Sequence, residues 1–198
     1  MTNPSIFDVV KERDNYTMKQ SWQWFLYNAR QISDSKRLKN APLGMFTDNQ
    51  PLLTPKLMPG FMYMYFYDPK GKDELPFYDT FPLLLPFSMD DKHFTGLNMH
   101  YLPPKFRHIL MTKLLRYAND KNMGEKTKLM MSWNLLSNAA KFPEVAPCVK
   151  QYLKGYVKSR FLKIKPEDYM IAVSLPLERF KKAENDYVWR KSREQIKK

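Results

Sequence analysis

The chain has 198 residues, and its 33 Lys+Arg against 20 Asp+Glu leave a formal charge of +13. A hydrophobic fraction of 43% with 15% aromatics supports a buried core and is too high for a disordered basic tail. One cysteine, Cys148, and three histidines, His93, His100 and His108, exclude an internal disulfide framework and an ordinary His/Cys metal cluster.

The N-terminus carries no basic segment followed by a long apolar run. The longest apolar stretches, 61–67 and 81–87, are about seven residues each, whereas a membrane span needs roughly 20. The expectation is a soluble protein of a reducing compartment, without a membrane partner. Residues 1–59 are expected to form an N-terminal helical segment followed by a Pro-rich extended arm. Helices are predicted over 5–11 and 17–32, where Trp22, Phe25, Leu26, Ala29 and Ile32 recur at three- and four-residue spacing. Pro42, Gly44, Pro51, Pro55, Pro59 and Gly60 then mark a surface loop over 36–60.

Residues 60–176 read as an α+β core. A strand is predicted over 61–67 (Phe-Met-Tyr-Met-Tyr-Phe-Tyr), bounded by Gly60 and by the turn Asp68-Pro-Lys-Gly71. Residues 75–78 are expected to return antiparallel to it. The apolar run 81–87 contains Pro82 and Pro86, which cannot donate to a ladder, so it is placed at an edge or a bulge. Residues 94–100 form a further strand, in which Gly96 marks a bulge or a close backbone approach. Strands this short favour a small antiparallel SH3-like barrel or sheet flanked by helices.

After Pro103-Pro104 the pattern becomes helical, with Phe106, Ile109, Leu110, Leu114 and Tyr117 as the apolar stripe and Lys105, Arg107, Lys113 and Arg116 off it. Two more helices are predicted over 127–140 and 147–158, and strands over 160–164 and 169–173 that return to the sheet. Residues 177–198 are expected as a basic C-terminal helix or arm, with helical segments at 177–183 and 188–198.

The charge is uneven along the chain. Residues 1–100 hold 11 basic and 11 acidic side chains, so the remaining 22 basic and 9 acidic residues place the whole +13 in the second half. One basic face directed at a polyanion follows, either nucleic acid or an acidic protein surface. In the predicted helix 147–158, Lys150, Lys154 and Lys158 are spaced four apart and form one cationic line. Arg160, Lys163 and Lys165 continue it, with Tyr152, Tyr156 and Phe161 interleaved. Such surfaces hold phosphates without reading sequence. Arg107, and Arg190 and Arg193 in the tail, complete the candidate DNA-binding set.

No Gly-rich phosphate loop, zinc spacing or nucleophile elbow occurs. A metal nuclease would need Asp79, Asp90 and His93 to converge, with Asp91 nearby. Solvated loop acids and a satisfied core histidine are the preferred reading of these residues. No catalytic residue, metal, cofactor or small-molecule substrate is expected.

Two blocks carry a family resemblance. One runs over residues 58–83 and includes Tyr67-Asp68 and Leu75-Pro-Phe-Tyr-Asp79; the other is Gly96-Leu-Asn-Met-His-Tyr-Leu-Pro103. With Val157-Lys-Ser-Arg-Phe-Leu162 and Leu175-Pro-Leu-Glu-Arg-Phe180, they resemble late proteins of large contractile-tailed bacteriophages, the T-even-like myoviruses. The resemblance spans roughly residues 55–195. It implies a virion protein of the DNA end protector type, which sits on the end of packaged linear duplex and blocks exonuclease. It further implies assembly in the host cytoplasm and contacts with other virion proteins. Asn98, His100 and Tyr101 in the second block read as a buried hydrogen-bonded set. The rival reading is a structural adaptor of the tail, baseplate or head–tail connector, favoured by the Pro-rich stretch 42–59.

Overall fold

The structure is a computed structural model that describes residues 53–118, 134, 136–138, 140–164 and 169–196. The helices expected at 5–11 and 17–32, the arm up to residue 52 and much of the helix 127–140 lie outside the described residues. The strands are β1 (Leu53–Thr54), β2 (Met62–Met64), β3 (Tyr78–Asp79), β4 (Leu83–Met89) and β5 (His93–Asn98). Helix α1 (Pro104–Ala118) follows, then β6 (Val149–Leu153), β7 (Phe161–Ile164), α2 (Tyr169–Ser174), β8 (Phe180–Lys181) and α3 (Asn185–Ile196). Short 3-10 turns cover Met99–Tyr101, Ala146–Cys148 and Lys154–Tyr156.

Six strands form one antiparallel sheet in the order β1-β7-β2-β4-β5-β6, and β3 pairs separately with β8. The α+β class holds, but the sheet has two edges, β1 and β6, and is not a closed barrel. After β6 the chain swings across to the continuation of β2. There it makes one isolated bridge, Val157 to Tyr67, and the Lys158 N–H donates to the Phe66 carbonyl at 2.8 Å. One bridge curls the sheet without closing it.

The period of two along β2 separates the two faces. Met62 and Met64 point into a core shared with Leu83, Leu85, Leu97, Met111 of α1, Ala172 and Val173 of α2 and Val188 of α3. Tyr63 and Tyr65 point the other way, into a cluster with Leu84, Phe94, Tyr152 and Phe161. In a flat sheet β5 and β7 would lie roughly 14 Å apart, yet the Phe94 and Phe161 rings are 5.9 Å apart. Curling of the sheet lets its own aromatic side chains fill the concave face.

Several local expectations are revised. Residues 147–158 are not a helix: residues 149–153 pair with β5 from His93↔Leu153 to Leu97↔Val149, and that ladder overrides the helical spacing of the lysines. Residues 169–173 are helical, because Tyr169, Ala172 and Val173 at three- and four-residue spacing turn one side inward. Residues 177–183 contain β8 rather than a helix, and β3 pairs with it instead of returning to β2. Among the described side chains of α1, Arg107 and Met111 are buried and Leu110 and Leu114 of the expected stripe pack partly buried on the core, while Phe106 and Ile109 are 50% and 45% exposed.

Pro86 lies in the sheet interior rather than at an edge, and the register shifts between Pro86 and Ser88, the bulge that a residue without an N–H requires. Gly96 sits opposite Pro86, and a Cβ there would lie 2.6 Å from the Leu85 carbonyl oxygen and 2.8 Å from the Pro86 Cα. Backbone cannot give way as a flexible side chain would, so Gly96→Ala is expected to destabilise the fold by about 1–3 kcal/mol. A urea unfolding midpoint equal to that of the parent protein would refute this.

Candidate nucleic-acid interface

At the end of the sheet where β4 turns into β5, three segments enclose a cleft of about 840 Å³. They are the β4–β5 turn (Asp90, Asp91) with Met89 at the end of β4, the β6–β7 connection (Lys154 and residues 157–160) with Phe161 at the start of β7, and residues 55–57 after β1. Lys56, Lys154, Lys158 and Arg160 are exposed there, and Leu57 and Met89 supply apolar surface. The pairing Thr54↔Phe161 brings the segment after β1, with Lys56, to the side of the cleft where the chain enters β7. Sequence reasoning missed Lys56, since nothing in the Pro-rich loop signals which strand it will flank.

The connection is held in place. Phe66 N–H donates to Ser159 Oγ at 2.9 Å, Lys154 N–H donates to the Lys92 carbonyl at 2.9 Å, and Lys154 Nζ donates to the Asp90 carbonyl at 2.5 Å. Asp90 shapes the turn: its carboxylate accepts from His93 N–H at 2.6 Å and Lys92 N–H at 2.8 Å, and faces His93 Nδ1 at 3.2 Å. Those backbone donors, His93 first, hold its carboxyl below the ordinary value, so it is ionised at neutral pH.

The other expected DNA-binding residues are dispersed. Lys150 and Lys154 do not share a helical line, because Lys150 is on β6, half-buried, with Nζ 4.1 Å from the Tyr101 ring centroid. Burial pulls its amine pKa down. Lys163 on β7 lies against Phe61, with Nζ 3.4 Å from the ring centroid. Arg190 and Arg193 are exposed on α3, which packs beside the turns Met99–Tyr101 and Ala146–Cys148. This is the opposite end of the β5–β6 ladder from the cleft. Lys165 lies outside the described residues.

Arg107 is removed from the set, because it has no solvent exposure. Its Nε donates to the Leu102 carbonyl at 2.6 Å, and its Nη2 donates to the His100 carbonyl at 3.3 Å and to Glu178 Oε1. Trp189 stacks beneath the guanidinium at 5.6 Å and donates Nε1–H to the same His100 carbonyl. Burial lowers the guanidinium pKa, and the Glu178 charge opposes that.

The candidate nuclease acids do not converge. Asp90 meets His93 in the exposed turn, whereas Asp79 is buried and faces His100 Nδ1 at 2.7 Å. Among the described residues no group of three or more His, Cys, Asp and Glu could hold a metal ion. Asn98 Nδ2 donates to Asp79 at 3.1 Å and to the Tyr152 hydroxyl at 3.0 Å, and its Oδ1 accepts from His100 N–H. The set ties β3, β5, β6 and the turn Met99–Tyr101 together, a structural task. Tyr101 stands beside it, edge-on to Phe180 at 5.2 Å.

Burial alone would raise the Asp79 carboxyl, but the His100 charge and the hydrogen bonds from His100, Phe81 N–H and Asn98 hold it below the ordinary value. A depressed folded pKa adds stability above the unfolded value of about 3.9, and that stability is lost as pH falls toward the folded value. The thermal midpoint is therefore expected to fall below about pH 4, and Asp79→Asn is expected to flatten that limb. An unchanged limb in the variant would count against this assignment.

A family model described as phage T4 terminal DNA protecting protein matches residues 48–196 of the chain. No curated protein and no solved structure matches it.

Proposed function

We propose, from the premise that the chain belongs to the family of the phage T4 terminal DNA protecting protein, that it binds the end of packaged linear duplex without catalysis and shields it in the virion. The observation that carries this reading is the convergence of Lys56, Lys154, Lys158 and Arg160 on one pinned cleft. Lys/Arg contacts to phosphate give affinity without sequence preference, as protection of an arbitrary terminus requires. Arg190 and Arg193 on α3 supply a second basic surface. β5 spans six residues, so the two surfaces are separated by roughly 20 Å, about six base pairs of duplex rise. One contact at the terminus and another further along the duplex would hold the protein against sliding.

A second reading draws on exposed apolar side chains. Phe106 and Ile109 on α1 and Phe142, itself 60% exposed, suit contact with a neighbouring virion protein of the tail, baseplate or neck. Such contacts and DNA binding are compatible.

The test is competition between blunt linear duplex and a closed circle at about 50 and 200 mM salt. Preference for the linear form, weakening steeply with salt, supports end binding. Equal competition by the circle reduces the cleft to a generic cationic surface, and absence of binding at both salts leaves the adaptor reading.

A further inference from the structure

The cleft is divided in charge. Its walls at residues 55–57 and 157–160 carry Lys56, Lys158 and Arg160, while the wall made by the β4–β5 turn contributes Asp90 and Asp91, with the Lys154 ammonium held against the Asp90 carbonyl between them. A duplex has phosphates along both sides of each groove. Laid over this cleft, it would set one row on the basic walls and press the other toward two carboxylates. Asp90 is committed to its charge by the backbone donors of His93 and Lys92.

An unpaired strand has the complementary division. Its phosphates run along one edge, where Lys158 and Arg160 can take them as charge-assisted hydrogen bonds. Its base edges run along the other, where amino groups can donate to carboxylates as cytosine does to Asp or Glu. Leu57 and the exposed Met89 give the base faces apolar surface to lie on. Size agrees: at about 840 Å³ the cleft belongs with concave sites for compact ligands, room for about one or two nucleotides.

We infer that the cleft takes the unpaired terminal nucleotides of one strand, frayed or tailed, rather than the flank of the duplex. This rests on the proposal that the chain binds DNA ends, and it accounts for end preference, since only a terminus supplies unpaired nucleotides. The walls are tied in advance by Lys154 to the Asp90 carbonyl and by Lys158 to the Phe66 carbonyl, so little ordering is needed on binding.

Fluorescence anisotropy of the full chain would use duplexes of one length with three kinds of end. One kind is blunt, one carries a tail of about three nucleotides, and one has its terminal base pair covalently crosslinked, with a closed circle as competitor. The tailed end is expected to bind about tenfold more tightly than the blunt end, and the crosslinked end about tenfold more weakly. Lys158→Glu with Arg160→Glu should abolish these differences, whereas Arg190→Glu with Arg193→Glu should weaken all three probes alike. Equal binding of the three ends, with the circle still excluded, would overturn this inference and leave end binding intact. A circle that competes as well as linear duplex would instead overturn the end-binding reading on which it rests.

Discussion

Arg107→Ala is expected to lower folding stability by about 3–5 kcal/mol while leaving the DNA affinity of the folded protein unchanged. The substitution strands the Glu178 carboxylate, whose side chain is 1% exposed, in a low-dielectric interior without its counter-charge. It also removes the donors to the Leu102 and His100 carbonyls. The native pair is itself imperfectly satisfied, because Arg107 Nη1 and Glu178 Oε2 find no partner among the described residues. Replacing both members by apolar side chains, Arg107→Met with Glu178→Leu, is therefore expected to recover most of the loss. Urea unfolding of the single and double variants decides the matter. A loss below about 1 kcal/mol in the single variant would mean that the pair is solvated rather than buried.

Lys158→Ala with Arg160→Ala is expected to reduce the slope of log affinity against log salt by about 1.5 units. Each lost phosphate contact removes about 0.7 from that slope on an unpaired strand and about 0.9 on duplex, and end binding at low salt should weaken roughly ten- to a hundredfold. Both side chains are exposed, so the fold should tolerate the change. Anisotropy titrations across several salt concentrations check this, and an unchanged slope would place the phosphate contacts elsewhere, with α3 the next surface to alter.

Much of the sheet was legible before its structure. The aromatic-rich run 61–67 between Gly60 and the turn at Asp68 declared a strand, and the pair Pro103-Pro104 marked where α1 begins. Gly96 was readable as a close backbone approach, and Asn98 with His100 as a buried polar set. The helix and strand assignments failed where a short segment fits both periods. Residues 149–153 carry lysines at helical spacing yet are claimed by β5, and residues 169–173 look like a strand yet pack as a helix. Local propensity is worth little against a ladder of five paired residues or a buried helical face.

Composition, the charge of +13 confined to the second half and the motif resemblance were enough to indicate a basic phage protein of α+β class. Which cations remain free for a polyanion was decided only by the tertiary structure. Arg107 is neutralised by Glu178, 71 residues away along the chain, and Lys150 is covered by the Tyr101 ring. Lys56 joins Lys154, Lys158 and Arg160 because β1 pairs with β7. Burial and pairing are set by side chains remote in sequence, so a cation's position along the chain says that it is charged but not what it faces.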